Sequence, residues 1–168
     1  MDAKVKRQRQ MVNAATIARC KNLAFLGTFL NMTGGRRDEL LEKLGITSQA
    51  FCRWFKVDDI RWSTVVKIYD LMGYSVRMVF SYPEGKAPSR TAAMAVLNML
   101  DPTSRLAPLF VEMKLNNQTF DSIGAAIGRT PQAVNHWFLE DEIAVSMIYK
   151  VAGAMGAKVE FVPEKKAE

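Results

Sequence analysis

The stretch TFDSIGAAIGRTPQAVNHWF, which begins at Thr119, determines the fold that we predict for this chain. Ile123 and Ile127 stand four residues apart, so they lie on the same face of a helix. Gly128 follows them at the corner of a tight turn, where a left-handed backbone favours glycine. Thr130 and the proline after it predict the start of a second helix, with the threonine as its N-cap. The stretch therefore predicts two short helices joined at Gly128.

The second helix of this stretch has an apolar side and a polar side. Val134 and Trp137 stand three residues apart and are predicted to face inward. Gln132, Asn135 and His136 are left facing outward. A short helix that presents amide and hydroxyl groups beyond a packed partner helix is what reading a DNA major groove requires.

The same arrangement occurs a second time, 83 residues earlier in the chain. Residues 23–79 align with residues 106–162 without a gap, and the matches include the corner glycine, the N-cap threonine and the following tryptophan. Such a match indicates an internal duplication. We therefore predict two units: residues 1–82, with a basic N-terminal helix, and residues 83–168, with a lead-in helix.

Each stretch resembles the helix-turn-helix of the lambda repressor-like (Cro/C1-type) DNA-binding domains. The resemblance rests on a corner glycine with apolar residues at five and one before it and at six and nine after it. It continues through residues 141–156, which look like the next helix of that family. It implies a mainly α-helical protein of two tandem units that binds double-stranded DNA sequence-specifically and regulates transcription. One chain would then carry two recognition helices, spaced by about 34–36 Å as in a two-fold reader.

The resemblance also implies which residues contact DNA. Arginine can bridge guanine, glutamine or asparagine can bridge adenine, and residues at a helix start can hold phosphates. In the first unit the implied contact residues are Arg36, Arg37, Ser48, Gln49, Cys52, Arg53 and Lys56. In the second unit they are Thr130, Gln132, Asn135 and His136.

The same polar faces also fit a protein-interaction module, antitoxin-like or adaptor, that reuses this fold. Leu41 stands where the second unit has Gly124, and its bulk is predicted to push the two helices of the first unit apart. Glu140, Asp141 and Glu142 follow the second recognition helix and would repel phosphate unless they turn aside. Both functions therefore stay open from the sequence.

Charge and composition favour a polyanionic partner. The chain has 168 residues, 49% of them hydrophobic, and a net charge of +6. This composition is typical of a globular protein, and its excess of basic residues suits nucleic acid. Positive charge is concentrated at the start, where Lys4, Lys6, Arg7 and Arg9 form either an arm that tracks phosphates or a solvated chain end.

The sequence offers no arrangement for catalysis, a metal or a cofactor. His136 is the only histidine, and Cys20 and Cys52 lack metal-ligand spacing. No nucleophile–base or paired-carboxylate pattern is visible, so we predict neither an enzyme nor a small-molecule substrate. Arg19 and Lys21 interrupt any signal peptide, and no uncharged run reaches the roughly 18 residues of a membrane span. We expect a cytoplasmic protein without membrane contact; a homodimer or a protein partner stays open.

Each unit is predicted to end in a short strand. Residues 75–80 and 158–162 show the alternation of a half-buried strand, and antiparallel pairing with each other would stabilise both. Arg77 and Glu160 would then lie near each other at a pseudo-two-fold axis. The predicted buried face of the pair consists of Val76, Met78, Val159 and Phe161.

Three further expectations concern the helices and their core. Ser89 is predicted to cap a helix that continues through Leu100. The N-terminal helix is predicted to be interrupted near Cys20. Trp54 and Trp137 are predicted to pack in the core rather than to stack on bases.

Overall fold

The computed structural model describes residues 10–101 and 103–167 of the chain. Over these residues the protein is mainly helical with one pair of antiparallel strands, as predicted. In the first half the elements are α1 (Ala14–Arg19), α2 (Ala24–Thr33), α3 (Arg37–Leu44), α4 (Ser48–Val57), α5 (Trp62–Leu71) and β1 (Tyr74–Ser81). In the second half they are α6 (Ala93–Leu97), α7 (Ala107–Leu115), α8 (Phe120–Ile127), α9 (Pro131–Leu139), α10 (Val145–Ala154) and β2 (Lys158–Lys165).

The helices of the second half recur at a fixed distance from those of the first. α7 begins at Ala107, 83 residues after α2 begins at Ala24, and α8, α9 and α10 follow α3, α4 and α5 by the same distance. Gly45 and Gly128 end α3 and α8 with φ of 67° and 72°, the left-handed conformation that glycine adopts without strain. The recurrence seen in the sequence is thus present in the order and bounds of the helices.

The register of β1 and β2 places a pseudo-two-fold axis between Met78 and Phe161. These residues lie directly opposite each other and are 83 residues apart, so they occupy equivalent positions in the two halves. Both are buried together with Val159, and Val76 is half-buried, in agreement with the predicted face. The centroids of the Phe161 and Trp62 rings are 5.0 Å apart. The strand pair therefore joins the hydrophobic cores of the two halves.

The prediction that Arg77 and Glu160 meet at this axis is wrong, because the strand register differs from the predicted one by two residues. Arg77 lies opposite Val162, and its guanidinium pairs with the carboxylate of Glu164 at 2.9 Å. Glu160 lies opposite Val79. Both registers keep the same side chains on the buried face, because side chains alternate along a strand and a shift of two residues does not exchange the faces. The observed pairing moves the axis by one residue, from Arg77 and Glu160 to Met78 and Phe161.

A second contact crosses the axis where α5 and α10 begin, and we call it the bridge. The N–H of Trp62 donates to the carbonyl of Ile143 at 2.8 Å. The N–H of Val145 donates to the carbonyl of Ile60 at 2.9 Å, the equivalent bond from the opposite half. The two halves are therefore joined by backbone hydrogen bonds at two separate places along the axis.

Acidic residues beside the bridge cap the helix of the opposite half. The Asp59 carboxylate accepts hydrogen bonds from the N–H of Ser146 at 3.0 Å and from its hydroxyl at 2.5 Å, in the first turn of α10. Glu142, the equivalent of Asp59, accepts a hydrogen bond from the N–H of Ser63 at 3.1 Å, in the first turn of α5. The N-cap residues of these two helices provide no side-chain cap themselves. Each half thus provides the N-terminal side-chain cap for a helix of the other half.

α8 and α9 pack closely because Gly124 leaves room between them. A Cβ atom at this position would lie 2.6 Å from the carbonyl oxygen of Arg129, closer than real contacts allow. Leu41 occupies the equivalent position in α3 and is buried, and α3 makes few close approaches to α4. The first half thus has the wider helix separation that the sequence predicts.

The helix predicted over residues 89–100 is confined to α6. The Ser89 hydroxyl accepts from the N–H of Thr91, two residues on, and this local bond closes a turn instead of capping a helix. The guanidinium of Arg90 is drawn to α7, where it binds the buried carboxylate of Glu112 at 2.7 Å. A local and a tertiary contact together delay the start of the helix.

The predicted interruption near Cys20 is confirmed and has a clear cause. The carboxylate of Asp58, at the end of α4, accepts hydrogen bonds of 2.7 to 3.1 Å from the N–H groups of Lys21, Asn22 and Leu23. These groups lie between α1 and α2. Asp58 therefore acts as the N-terminal cap of α2 from a distant part of the chain.

Candidate nucleic-acid interface

α4 turns its polar face away from the rest of the molecule. Its start is fixed by Thr47, whose hydroxyl accepts a hydrogen bond from the N–H of Ala50 at 3.1 Å. Phe51 and Phe55 are buried, and the opposite face of the helix is consequently directed to solvent. The predicted contact residues on that face are all exposed: Ser48, Gln49, Cys52, Arg53 and Lys56.

Arg36 and Arg37 are neighbours with different surroundings. The exposed side chain of Arg36 pairs with Glu39 at 3.4 Å. Arg37 instead crosses α4, where its Nη2 donates to the Ser48 hydroxyl at 2.6 Å and lies 3.1 Å from the Cys52 sulfur. The structure thus brings together three predicted contact residues. Sequence reasoning missed this cluster, because its members come from different helices.

The N-terminal segment reaches the same surface. Gln10, where the described residues begin, lines a cleft of about 470 Å³ together with Arg36, Arg37 and Ser48. The predicted basic arm, residues 4–9, lies outside the described residues, and its point of attachment is beside the starts of α3 and α4.

α9 offers a smaller polar face than α4. The hydroxyl of Thr130 caps the helix by accepting a hydrogen bond from the N–H of Ala133 at 3.2 Å, as predicted. Gln132 and His136 are exposed, and Asn135 is half-buried. Two of the four residues predicted in this half, Gln132 and His136, are therefore exposed on the helix itself. Thr130 is also exposed, but its hydroxyl already accepts the capping hydrogen bond.

The two tryptophans at equivalent positions of the repeat lie at the edge of the core rather than inside it. Trp54 and Trp137 are half-buried and pack against the buried cluster. The Trp54 ring lies 5.6 Å from that of Phe51, between ring centroids. These contacts agree with a packing role for both indoles.

The acidic residues that follow α9 are mostly turned inward. Asp141 accepts hydrogen bonds from the N–H groups of Arg105 and Leu106 at 3.0 and 3.1 Å. Glu142 is engaged at the start of α5, as described above. Glu140 is the exposed member of the three. The repulsion of phosphate expected from this run is therefore reduced to one carboxylate.

Asp58 is the residue of the first half that is equivalent to Asp141, and the pKa of its carboxyl group is perturbed. Burial raises the pKa of this group, but the hydrogen bonds from the N–H groups of Asn22, Leu23 and Lys21 outweigh burial. The net pKa of Asp58 consequently lies below its ordinary value. The fold thus stabilises the ionised carboxylate of Asp58 at the end of α4.

The described part of the chain shows neither a metal-ligand group nor a membrane-spanning helix. Within it, no group of three or more His, Cys, Asp or Glu side chains is placed to hold a metal ion. No helix among these residues has the length and apolar character to cross a membrane.

No protein-family model, curated protein or solved structure matches the chain. A fold by itself does not define a function, which depends on specific side chains and their geometry. Function is therefore inferred from the side chains that this fold brings together.

Proposed function

We propose that this protein binds double-stranded DNA sequence-selectively and regulates transcription, with α4 and α9 as the recognition helices of two tandem lambda repressor-like helix-turn-helix units. The observation that carries the proposal is that α4 and α9 occupy equivalent positions about the pseudo-two-fold axis, each with exposed polar side chains. Two helices related by a two-fold axis match the two half-sites of a palindromic DNA site.

The positions of the helix ends support this arrangement. α4 ends at Val57 and α9 at Leu139, respectively three and four residues before Ile60 and Ile143 of the bridge. A residue spans at most about 3.6 Å, so both helix ends lie within roughly 15 Å of the bridge. The C-terminal ends of both proposed recognition helices therefore lie near the bridge, which is compatible with a two-headed reader.

The surroundings of the side chains divide the proposed contacts into two kinds. Gln49 and Arg53 are exposed along the outer face of α4, where they can meet base edges. Arg36 is exposed at the start of α3 and belongs with the basic arm as a phosphate contact. Arg37 is held against Ser48 and fixes the start of α4 while it adds charge.

The proposal predicts different effects of two arginine variants. A bound sequence is first selected from genomic fragments, and affinities are then measured for that site and for a set with single base changes. Arg53→Ala should flatten the preference at one base position by roughly 1–3 kcal/mol, whereas Arg36→Ala should weaken all sites alike and reduce the salt dependence of binding. The same loss of base preference in both variants would contradict these roles.

A protein-interaction module is the second candidate, and two exposed apolar side chains favour it. Leu139 is 72% exposed and Val57 is 61% exposed, at the ends of α9 and α4. Apolar groups displayed at equivalent ends of two helices suit contact with a protein surface. If the purified protein retains no genomic fragment even at about 50 mM salt, where phosphate contacts are strong, the interaction module replaces DNA binding.

A further inference from the structure

A cavity of about 590 Å³ lies between α4 and the N-terminal segment that includes α1. Its volume falls within the range of roughly 300–1,000 Å³ that is typical of small-molecule sites. Hydrogen bonds fix its walls: the N–H of Val12 donates to the side-chain oxygen of Asn31 at 3.0 Å, and the Cys20 thiol donates to the carbonyl of Phe55 at 3.5 Å. The cavity is therefore held open by the fold itself.

The floor of the cavity is apolar. Met11, Val12, Phe51 and Phe55 line it, and each is at most 6% exposed. The two phenylalanine rings lie 5.4 Å apart, between centroids, and are tilted by 59°. The guanidinium carbon of Arg37 already lies 4.9 Å from the centroid of the Phe51 ring. A flat apolar group that enters the cavity can therefore contact only the parts of this floor that remain uncovered.

The rim of the cavity is cationic. Arg19, Arg37 and Lys56 line it, and Asp58 is the one carboxylate among its described lining residues. The Asp58 oxygens already accept backbone hydrogen bonds at the start of α2, so they neutralise little of this charge. The Nε atom of Arg37 is buried and has no hydrogen-bond partner among the described residues. An atom this buried is out of reach of a bound molecule, so an anion at the rim would meet the other nitrogens of the Arg37 guanidinium and the Lys56 ammonium.

We propose that this cavity binds a small aromatic carboxylate, with its ring against the apolar floor and its carboxylate on Arg37 and Lys56. The apolar floor gives a bare inorganic anion little to contact, and the cationic rim gives a neutral apolar molecule no partner. An anionic molecule with an aromatic body complements both parts of the cavity.

Binding at this position acts on the proposed recognition helix, and this step rests on the function proposed above. Lys56 lies on the exposed face of α4, and Arg37 contacts Ser48 and Cys52 on the same face. A carboxylate that takes up these two cations competes with phosphate for them. The ligand therefore weakens DNA binding, and DNA weakens ligand binding by the same factor.

The site itself is tested without DNA. Isothermal titration calorimetry of the full chain with 1-naphthoate should give one bound molecule, and the neutral isostere 1-naphthamide should bind about tenfold more weakly or worse, because it lacks the charge-assisted hydrogen bonds. Equal affinity for acid and amide, or no binding of the acid, would overturn the proposal.

Variants then locate the bound probe. Lys56→Gln and Arg37→Gln should each lower the affinity for naphthoate by about tenfold while leaving that for naphthamide unchanged. Arg53→Gln is the matched control, since it removes the same charge from an exposed position of α4 that does not line the cavity. An equal loss of naphthoate affinity in Arg53→Gln and Lys56→Gln would refute the assignment.

A final titration separates this proposal from the proposed function. Naphthoate at a saturating concentration should weaken binding to the selected DNA site, and the same concentration of naphthamide should not. Naphthoate binding by a protein that binds no DNA would leave the site in place and refute the DNA function. DNA binding that naphthoate leaves unchanged would refute the coupling.

Discussion

At the scale of single residues, the molecule depends on carboxylates that receive backbone N–H groups. Asp58 and Asp141 stand at equivalent positions and both have a left-handed backbone, with φ of 57° and 50°. Each aims its carboxylate at the N–H groups that precede or open the second helix of its own half, α2 or α7. A helix start exposes several unpaired donors, and an ionised acceptor there also benefits from the helix dipole.

This arrangement predicts a pH-dependent contribution of Asp58 to stability. Asparagine tolerates the same backbone conformation, so Asp58→Asn should remove the charge without strain and lower the free energy of unfolding at pH 7 by about 1 kcal/mol. Because the folded pKa is lowered from an unfolded value of about 3.9, the carboxylate's contribution is complete above that value and is lost as pH falls through the folded pKa. Urea denaturation from pH 7 to pH 2 checks this. A difference between the two proteins that stays constant down to pH 2 would speak against it.

At the scale of elements, one position decides how closely two helices pack. Gly124 allows α8 to approach α9, whereas Leu41 stands at the equivalent place between α3 and α4. The first half consequently has a wider helix pair, and Arg37 fills part of its surface by crossing α4. The half with the looser helix pair is also the half whose proposed recognition helix, α4, has the more polar exposed face.

Gly124→Ala should destabilise the protein even though alanine is the better helix former. The added Cβ would meet the carbonyl oxygen of Arg129 at 2.6 Å, and relief of such overpacking commonly costs about 1–3 kcal/mol. Gly153→Ala is the matched control in α10, because a Cβ there meets no atom within 4 Å. The control should gain about 0.5–1 kcal/mol from helix propensity. Stabilisation by both substitutions in urea denaturation would show that Gly124 is not required by packing.

At the scale of the whole molecule, the two halves are built to fold together. The bridge, the strand pair and the crossed caps, by which Asp59 caps α10 and Glu142 caps α5, all join the two halves. The buried residues of both halves form one hydrophobic cluster. Phe161 of β2 illustrates this, because its ring lies 4.5 Å from that of Phe25 in the opposite half and 5.5 Å from that of Tyr149 in its own.

The crossed caps predict that a substitution in one half destabilises the start of a helix in the other half. Asp59→Ala should cost about 0.5–2 kcal/mol of stability, the usual effect of removing a cap. Its largest increase in amide hydrogen exchange should occur at the start of α10, whereas Glu142→Ala should act at the start of α5. Each variant is the control of the other. Exchange that increases only within the mutated half would be incompatible with crossed capping.

The sequence by itself determined the features that depend on residues close together in the chain. Thr47 and Thr130 cap their helices at a distance of three residues, and Gly128 ends α8 because of its own backbone freedom. Apolar spacing along each helix fixed which faces are buried. The repeat at 83 residues then predicted that these local structures occur twice and that the two strands pair.

Only the tertiary structure decided the features that join distant residues. The strand register places Met78 opposite Phe161, two residues from the predicted pairing, and the alternation within one strand cannot distinguish registers that differ by two residues. Asp58, Asp59 and Glu142 read as surface charges in the sequence, because their backbone partners lie between 35 and 87 residues away. The cavity beside α4 likewise needs α1 and α4 to meet, and local propensities carry no information about such a meeting.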